Sequence, residues 1–226
     1  MGKNYKFAIK YSLSSLFLML LGWVDDLDGF FLSPWRTWTL IIQVSGFFWM
    51  GLYLKYGLEE ENKEKAELQF IVTSLSFIGP GIIQFLGPLS ERLLELWIVN
   101  LLILNANNLR IAGFFIYIFS FIPMIWGPIH QGRFFSLDIE IKKDHKLVTD
   151  GPFRVVRHPK YFGMLFYYIG FAFIFSSVIL IIIIFAALIF ILWRIRDEEV
   201  LLSGEFGEEW QDYCRKTKWK LVPFIW

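Results

Sequence analysis

Apolar residues fall in long blocks along this chain, separated by polar connections, and the block lengths are those of membrane crossings. An α-helix rises about 1.5 Å per residue and the hydrocarbon core of a bilayer is about 30 Å thick, so roughly 20 mainly apolar residues mark one crossing. Four blocks meet that length: Phe7 to Val24, Thr37 to Tyr56, Leu68 to Gly87 and Leu109 to Ile129. A fifth, Tyr161 to Trp193, is too long for one ordinary crossing. It predicts a helical hairpin turning near Ser176-Ser177, with short or tilted arms. The stretch "ERLLELWIVNLLILNANNLR", Glu91 to Arg110, is apolar over a shorter length and carries charges at both ends. It predicts a helix lying in the interface or packed on the bundle in preference to a further span.

The connections set sidedness. Lys3, Lys6 and Lys10 precede the first block, the next connection "DDLDGFFLSPWR" is acidic with one arginine, and Lys55, Lys63 and Lys65 follow the second block. The basic excess places the opening residues and the 130–160 region in the cytoplasm, and the hairpin returns the tail from Arg194 to that side. The predicted fold class is all-α, a polytopic integral membrane helical bundle with a C-terminal transmembrane hairpin and a cytoplasmic cap. Two regions follow: spans and the interfacial helix over 1–129, then polar cap, hairpin and charged tail over 130–226.

Composition agrees, with 56% hydrophobic residues and 19% aromatics and a mean hydropathy of +0.50, above the usual soluble domain. A net charge of +1 gives no reason to expect nucleic acid. The single cysteine, Cys214, excludes an internal disulfide. The three histidines, at 130, 145 and 158, lack His-x-x-x-His spacing, so no metal is expected. The basic then apolar opening has no small-residue cleavage site and reads as a retained span.

Two polar segments interrupt the oil. In "LVTDGPFRVVRHPKY", Asp150-Gly151-Pro152 signals a turn that folds the preceding residues back. Pro159 disfavours helix before it and suits the first helical position, so Arg157 and His158 should be extended and a helix should start at Pro159. A helix start at the membrane surface, flanked by Arg157 and Lys160, suits a carboxylate or phosphate. Plain anchoring of those cations to lipid headgroups is the alternative. In "WRIRDEEVLLSGEFGEEWQDYC", Arg194 and Glu198 share a helix face and Arg196 and Glu199 are spaced to pair. Charge directly after so apolar a run usually has a partner or a ligand.

Together, "HKLVTDGPFRVVRHPKYFGM" and "RIRDEEVLLSGEFGEEWQDYCRKTKWKLVPFIW" resemble the membrane methyltransferases typified by isoprenylcysteine carboxyl methyltransferase. Phospholipid methyltransferases and sterol reductases are more distant relatives. The matching positions are Arg157, His158, Pro159, Tyr161, Glu198, Glu199 and Phe206 to Trp210. The resemblance implies S-adenosylmethionine (S-adenosyl-L-methionine) as methyl donor, bound in the cytoplasmic cap. By carry-over His145, Lys146, Leu147, Val148, Phe153, His158, Pro159, Lys160 and Tyr161 line the cofactor site, and Glu198 holds the cofactor's amino group. Arg194 is the substrate-facing and catalytic arginine, and Glu199 is a catalytic candidate. Phe153 stands where relatives often carry Tyr, and a short 136–145 connection puts Glu140 in doubt as a contact. The implied acceptor is a lipophilic small molecule or a lipidated carboxylate reached from membrane lipids, with no obligate protein partner. The implied location is a multi-pass membrane protein of the endoplasmic reticulum or a prokaryotic inner membrane. An NADPH-dependent sterol-type reductase shares the His-Pro-x-Tyr element and the tail, and phospholipid N- or thiol S-methylation and non-enzymatic lipid binding are the other readings.

Overall fold

The computed structural model describes residues 2–24, 26–53, 84–91, 106–136 and 139–226. Among them every regular element is helical: α1 (Gly2–Leu21), α2 (Leu27–Leu32), α3 (Pro34–Tyr53), a helical stretch over 84–91, α4 (Ala106–Gln131), α5 (Pro159–Ile174) and α6 (Val178–Lys216), with 3-10 turns at Gly132–Phe134 and Gly151–Arg154. Among the described residues two helices are long and apolar enough to cross a membrane, Asn107–Phe134 and Ile179–Lys216.

The first, second and fourth apolar blocks coincide with α1, α3 and α4. The third lies outside the described residues except for its last helical positions. So does most of the predicted interfacial helix from Glu91 to Arg110, whose described end, 106–110, is instead the opening of α4. Glu91 and Arg110 nevertheless meet at 2.8 Å, and Arg36 at the start of α3 reaches the other oxygen of Glu91 at 2.8 Å.

The hairpin breaks where the serines predicted. Ser176 adopts φ 47°, and Ser177 caps α6 by accepting from the Leu180 amide at 3.1 Å. Ser90 reaches Ser177 Oγ at 2.6 Å and ties this turn to the 84–91 stretch. The arms are unequal. α5 has 16 residues, about 24 Å, while α6 has 39 with a kink at Gly207 (φ 47°), and its run up to Phe206 is about 44 Å, well beyond a hydrocarbon core. The apolar section of α6 ends at Trp193, and from Arg194 the same helix continues as a charged extension. Ile182, Phe185 and Ile189 form an exposed apolar stripe on the first section, as a lipid-facing helix presents.

α4 and α5 are pressed together through glycines. A Cβ on Gly170 would lie 2.6 Å from the Tyr117 amide nitrogen, and one on Gly163 2.7 Å from the Ser120 carbonyl. Small residues allow this backbone approach, the usual means of helix association in lipid. Beside the seam sits a neutral polar cluster. Gln43 donates to Ser15 Oγ at 2.9 Å, and its carbonyl accepts from Tyr117 and Tyr167 at 3.0 and 3.1 Å. All four residues are buried, so the cluster links α1, α3, α4 and α5.

Candidate functional site

The site is assembled where the start of α5 meets the charged extension of α6. Asp150 is extended, Gly151 takes φ 55° and opens the turn Gly151–Arg154, a left-handed position that glycine occupies without strain. A Cβ there would strike the His130 ring at 2.2 Å, so the turn seats against the end of α4. His158 is the N-cap residue of α5, but its side chain does not cap the helix. It turns instead to two carboxylates of α6.

Those contacts form a continuous polar chain. His158, 6% exposed, places Nδ1 3.1 Å from Glu198 Oε2 and Nε2 3.4 Å from Glu199 Oε1. Tyr161 Oη donates to Glu198 Oε1 at 3.1 Å, and Arg194 Nε donates to Tyr161 Oη at 3.0 Å. On the far side Lys220 Nζ lies 2.6 Å from Glu199 Oε2. Arg157 Nε is 3.1 Å from Glu199 Oε1 as an ion pair, although its N–H is not aimed well enough to count as a hydrogen bond. The predicted Arg196–Glu199 pair therefore gives way to partners distant in sequence, and Arg196 is exposed.

Protonation follows from this packing. Burial would lower the pKa of His158, but its hydrogen bonds to Glu198 and Glu199 outweigh burial and raise it above the ordinary 6.5. Burial would raise both carboxyls, yet the His158 hydrogen bond and nearby cations hold each at about 2. Lys160 and Arg194 act on Glu198, Lys220 and Arg157 on Glu199. Burial lowers His145, with the charge of Lys142 adding to it.

Against this chain opens a cleft with about 90 Å³ of free volume. The end of α4 and the following loop contribute Gln131, Phe134, Ser136, Ile139 and Glu140. The folded-back segment contributes His145, Leu147, Val148 and Phe153, and the start of α5 contributes Arg157, His158, Pro159, Lys160 and Tyr161. α6 closes the cleft with Glu198, Leu201, Leu202, Trp210 and Tyr213. Phe134 stacks on His145 at 5.0 Å and 17°, and Phe206 meets that ring edge-on at 5.8 Å. Phe153 packs with Trp210 and Tyr213, and its carbonyl accepts from Tyr213 Oη at 2.8 Å.

The structure brings together most of the expected cofactor residues, with three adjustments. Lys146 is exposed and does not line the cleft, because its neighbours His145 and Leu147 turn inward along an extended segment. Arg194 is 3% exposed and lies behind Tyr161. Glu199 likewise stands outside the cleft lining, on the far side of His158. Glu140, doubted from loop length, does reach the cleft, where it accepts from Ser136 Oγ at 2.8 Å. Sequence reasoning missed Leu202, one helical turn after Glu198, and noted Trp210 only as a motif match, because the kink at Gly207 separates it from the Glu198 face.

The donor set can accommodate a flat aromatic group, a cation beside Glu198 and Glu140, and an anion beside Arg157 and the start of α5. It defines a helical protein whose polar cleft sits at the end of a long apolar hairpin. Residues 111–204 match the model of the isoprenylcysteine carboxyl methyltransferase family, so the family resemblance carried by the C-terminal motifs holds over this segment, from α4 through the carboxylate pair. Similar proteins include protein-S-isoprenylcysteine O-methyltransferase B of Arabidopsis thaliana, 35% identical over 101 residues, 43% of this chain and 50% of that protein. The protein-S-isoprenylcysteine O-methyltransferase of Dictyostelium discoideum is 37% identical over 87 residues, covering 38% and 36% of the two chains. That of Schizosaccharomyces pombe is 33% identical over 98 residues, 39% of each. The match thus spans about half the length of the plant relative and less of the other two.

Proposed function

We propose that this chain transfers a methyl group from S-adenosylmethionine to the carboxylate of a lipophilic, isoprenylcysteine-like acceptor at the membrane. The observation that carries this reading is that the family-matched segment closes a cleft whose polar groups suit the donor and whose candidate bases are poor ones. His158 is favoured in its protonated form and Glu199 is held at about 2 by its partners. An amine or thiol acceptor needs a base to take its proton, whereas a carboxylate is already ionised and needs none.

The cofactor supplies an activated methyl group on a sulfonium, so the chain's task is placement and exclusion of water. Glu198, 23% exposed at the side chain, offers a carboxylate to the cofactor's ammonium. Arg157 and the start of α5 at Pro159, Lys160 and Tyr161 receive its carboxylate. His145, Leu147, Val148 and Phe153 form the wall against its flat base. Arg194, buried where the apolar section of α6 ends, orients the acceptor carboxylate in a site drier than water.

In this reading the fold is a polytopic membrane bundle, with α5 and the apolar section of α6 as its C-terminal hairpin. Residues 130–226 are the catalytic region, 1–129 the supporting spans, and the cleft faces the cytoplasm. The acceptor enters from the bilayer beside the exposed stripe of α6. Titration calorimetry tests the reading. The protein should bind S-adenosylmethionine and not NADPH, and Glu198→Ala should weaken binding by about a hundredfold or more, as loss of a charged, hydrogen-bonded partner does. NADPH binding without a response to S-adenosylmethionine would favour the reductase reading. Labelled donor offered with prenylcysteine, phosphatidylethanolamine and small thiols in separate reactions should methylate prenylcysteine alone.

A further inference from the structure

The tail after α6 folds back onto the site, in a part of the chain beyond the family-matched residues 111–204. The Trp219 and Lys220 carbonyls accept from the Arg157 and His158 amides at 2.9 and 3.0 Å. Leu221, 2% exposed, packs with Tyr161, Leu165, Ile191 and Ile195 of the hairpin. These contacts fix Lys220 beside Glu199, whose Oε2 it meets at 2.6 Å. Glu199 is thus shared among Lys220, Arg157 and His158, and only His158 of the three also touches Glu198.

We propose that Lys220 is a positioning residue: by occupying Glu199 it limits that carboxylate's hold on the His158 proton, and so sets how readily His158 releases Glu198 to a ligand. The last step rests on the methyltransferase reading, in which a cofactor ammonium competes with His158 and Tyr161 for the Glu198 carboxylate. The charges facing His158 come from every element around it. α6 supplies Glu198 and Glu199, and α5 supplies Lys160, whose charge acts on Glu198, with the Tyr161 ring 6.0 Å from the imidazole. Arg194 acts through Tyr161. The preceding loop gives Arg157, with Tyr213 and Cys214 beside it, and the tail gives Lys220. Two carboxylates therefore stand against four nearby fixed cations, and removing Lys220 shifts that balance toward a protonated His158. A protonated His158 grips Glu198 more tightly and resists the exchange.

The chain has three histidines, so the full-length protein in nanodiscs, free of cofactor and labelled with ¹³C at His Cε1, gives a readable titration once each is assigned by its His→Gln variant. Lys220→Met should raise the His158 midpoint by about one pH unit, the scale of one screened charge nearby, leaving His130 and His145 unmoved. Lys220→Arg should restore the wild-type midpoint. Separately, Lys220→Met should weaken S-adenosylmethionine binding about threefold to tenfold near pH 7, with the deficit closing above both midpoints. Lys220→Gln, which keeps much of the stem and a donor, is the second variant if Lys220→Met does not fold. An unmoved His158 midpoint in a folded variant overturns the proposal, as does an affinity loss that is the same at every pH, the signature of a strap that only supports the fold. A moved midpoint in Lys220→Met, together with a wild-type protein that never binds S-adenosylmethionine, upholds the positioning role and overturns the methyltransferase reading.

Discussion

Two buried polar clusters meet along α5 and are built in opposite ways. The cluster around Gln43 is neutral, linking Ser15, Tyr117 and Tyr167 deep between α1, α3, α4 and α5. The cluster around His158 is charged, and Glu198 reaches both a cleft and two protein partners. A satisfied neutral network in an apolar surround is expensive to disturb and has nothing to exchange. A charged network opening on a cleft can trade an internal partner for a ligand. The first arrangement holds helices in register; the second is suited to binding.

The contrast is broken most severely at the seam that supports both clusters. Gly170→Val places a Cβ against the Tyr117 backbone, 2.6 Å from its nitrogen, where no side-chain movement relieves the clash. A loss of at least about 3 kcal/mol is expected, read as a fall in melting temperature and in yield of monodisperse protein. A variant as stable as the wild type would mean that the helices are not so closely apposed.

Gln43→Leu separates the two clusters. It removes the acceptor that the Tyr117 and Tyr167 hydroxyls share and should cost about 2 kcal/mol of stability, with S-adenosylmethionine affinity unchanged. Glu198→Ala should weaken that binding by about a hundredfold or more in protein that remains folded, and should cost stability as well, since His158 and Tyr161 lose a shared partner. If Gln43→Leu weakens binding as strongly as it weakens the fold, the two clusters are not independent.

How much of this was legible from sequence depended on range. The hairpin break at Ser176 and the start of α5 at Pro159 are local, set by capping and proline geometry, and both read directly. The face shared by Arg194 and Glu198 also read from helical spacing, and the structure joins them through Tyr161. Glu199 did not read, because a helix-spaced Arg196 competes on paper with Arg157 and Lys220, which tertiary folding delivers. Lys146 failed for a related reason: a matched motif gives neighbourhood, while alternation along an extended segment decides which side chains face in. The break at Gly207, with φ 47° within α6, has no local signature beyond the glycine itself.

pH provides the mildest and sharpest separation of the clusters. His158 is raised, so its contribution to stability is complete below its ordinary value near 6.5 and is lost as pH climbs through the higher folded value. Glu198 and Glu199 are lowered to about 2, so their contributions are complete above about 4.5 and are lost as pH falls toward 2. His145 is lowered by burial, and its penalty grows as pH drops below about 6.5, adding to the acid-side loss. Gln43 and Ser15 carry no ionisable group in this range. The cofactor-free melting temperature should therefore fall by a few degrees from pH 6 toward pH 9. His158→Gln should flatten that alkaline slope, since the titrating group is gone, and Gln43→Leu should lower the whole curve without changing its shape. An undiminished alkaline slope in His158→Gln would place the titrating group elsewhere and remove the charged cluster as its source.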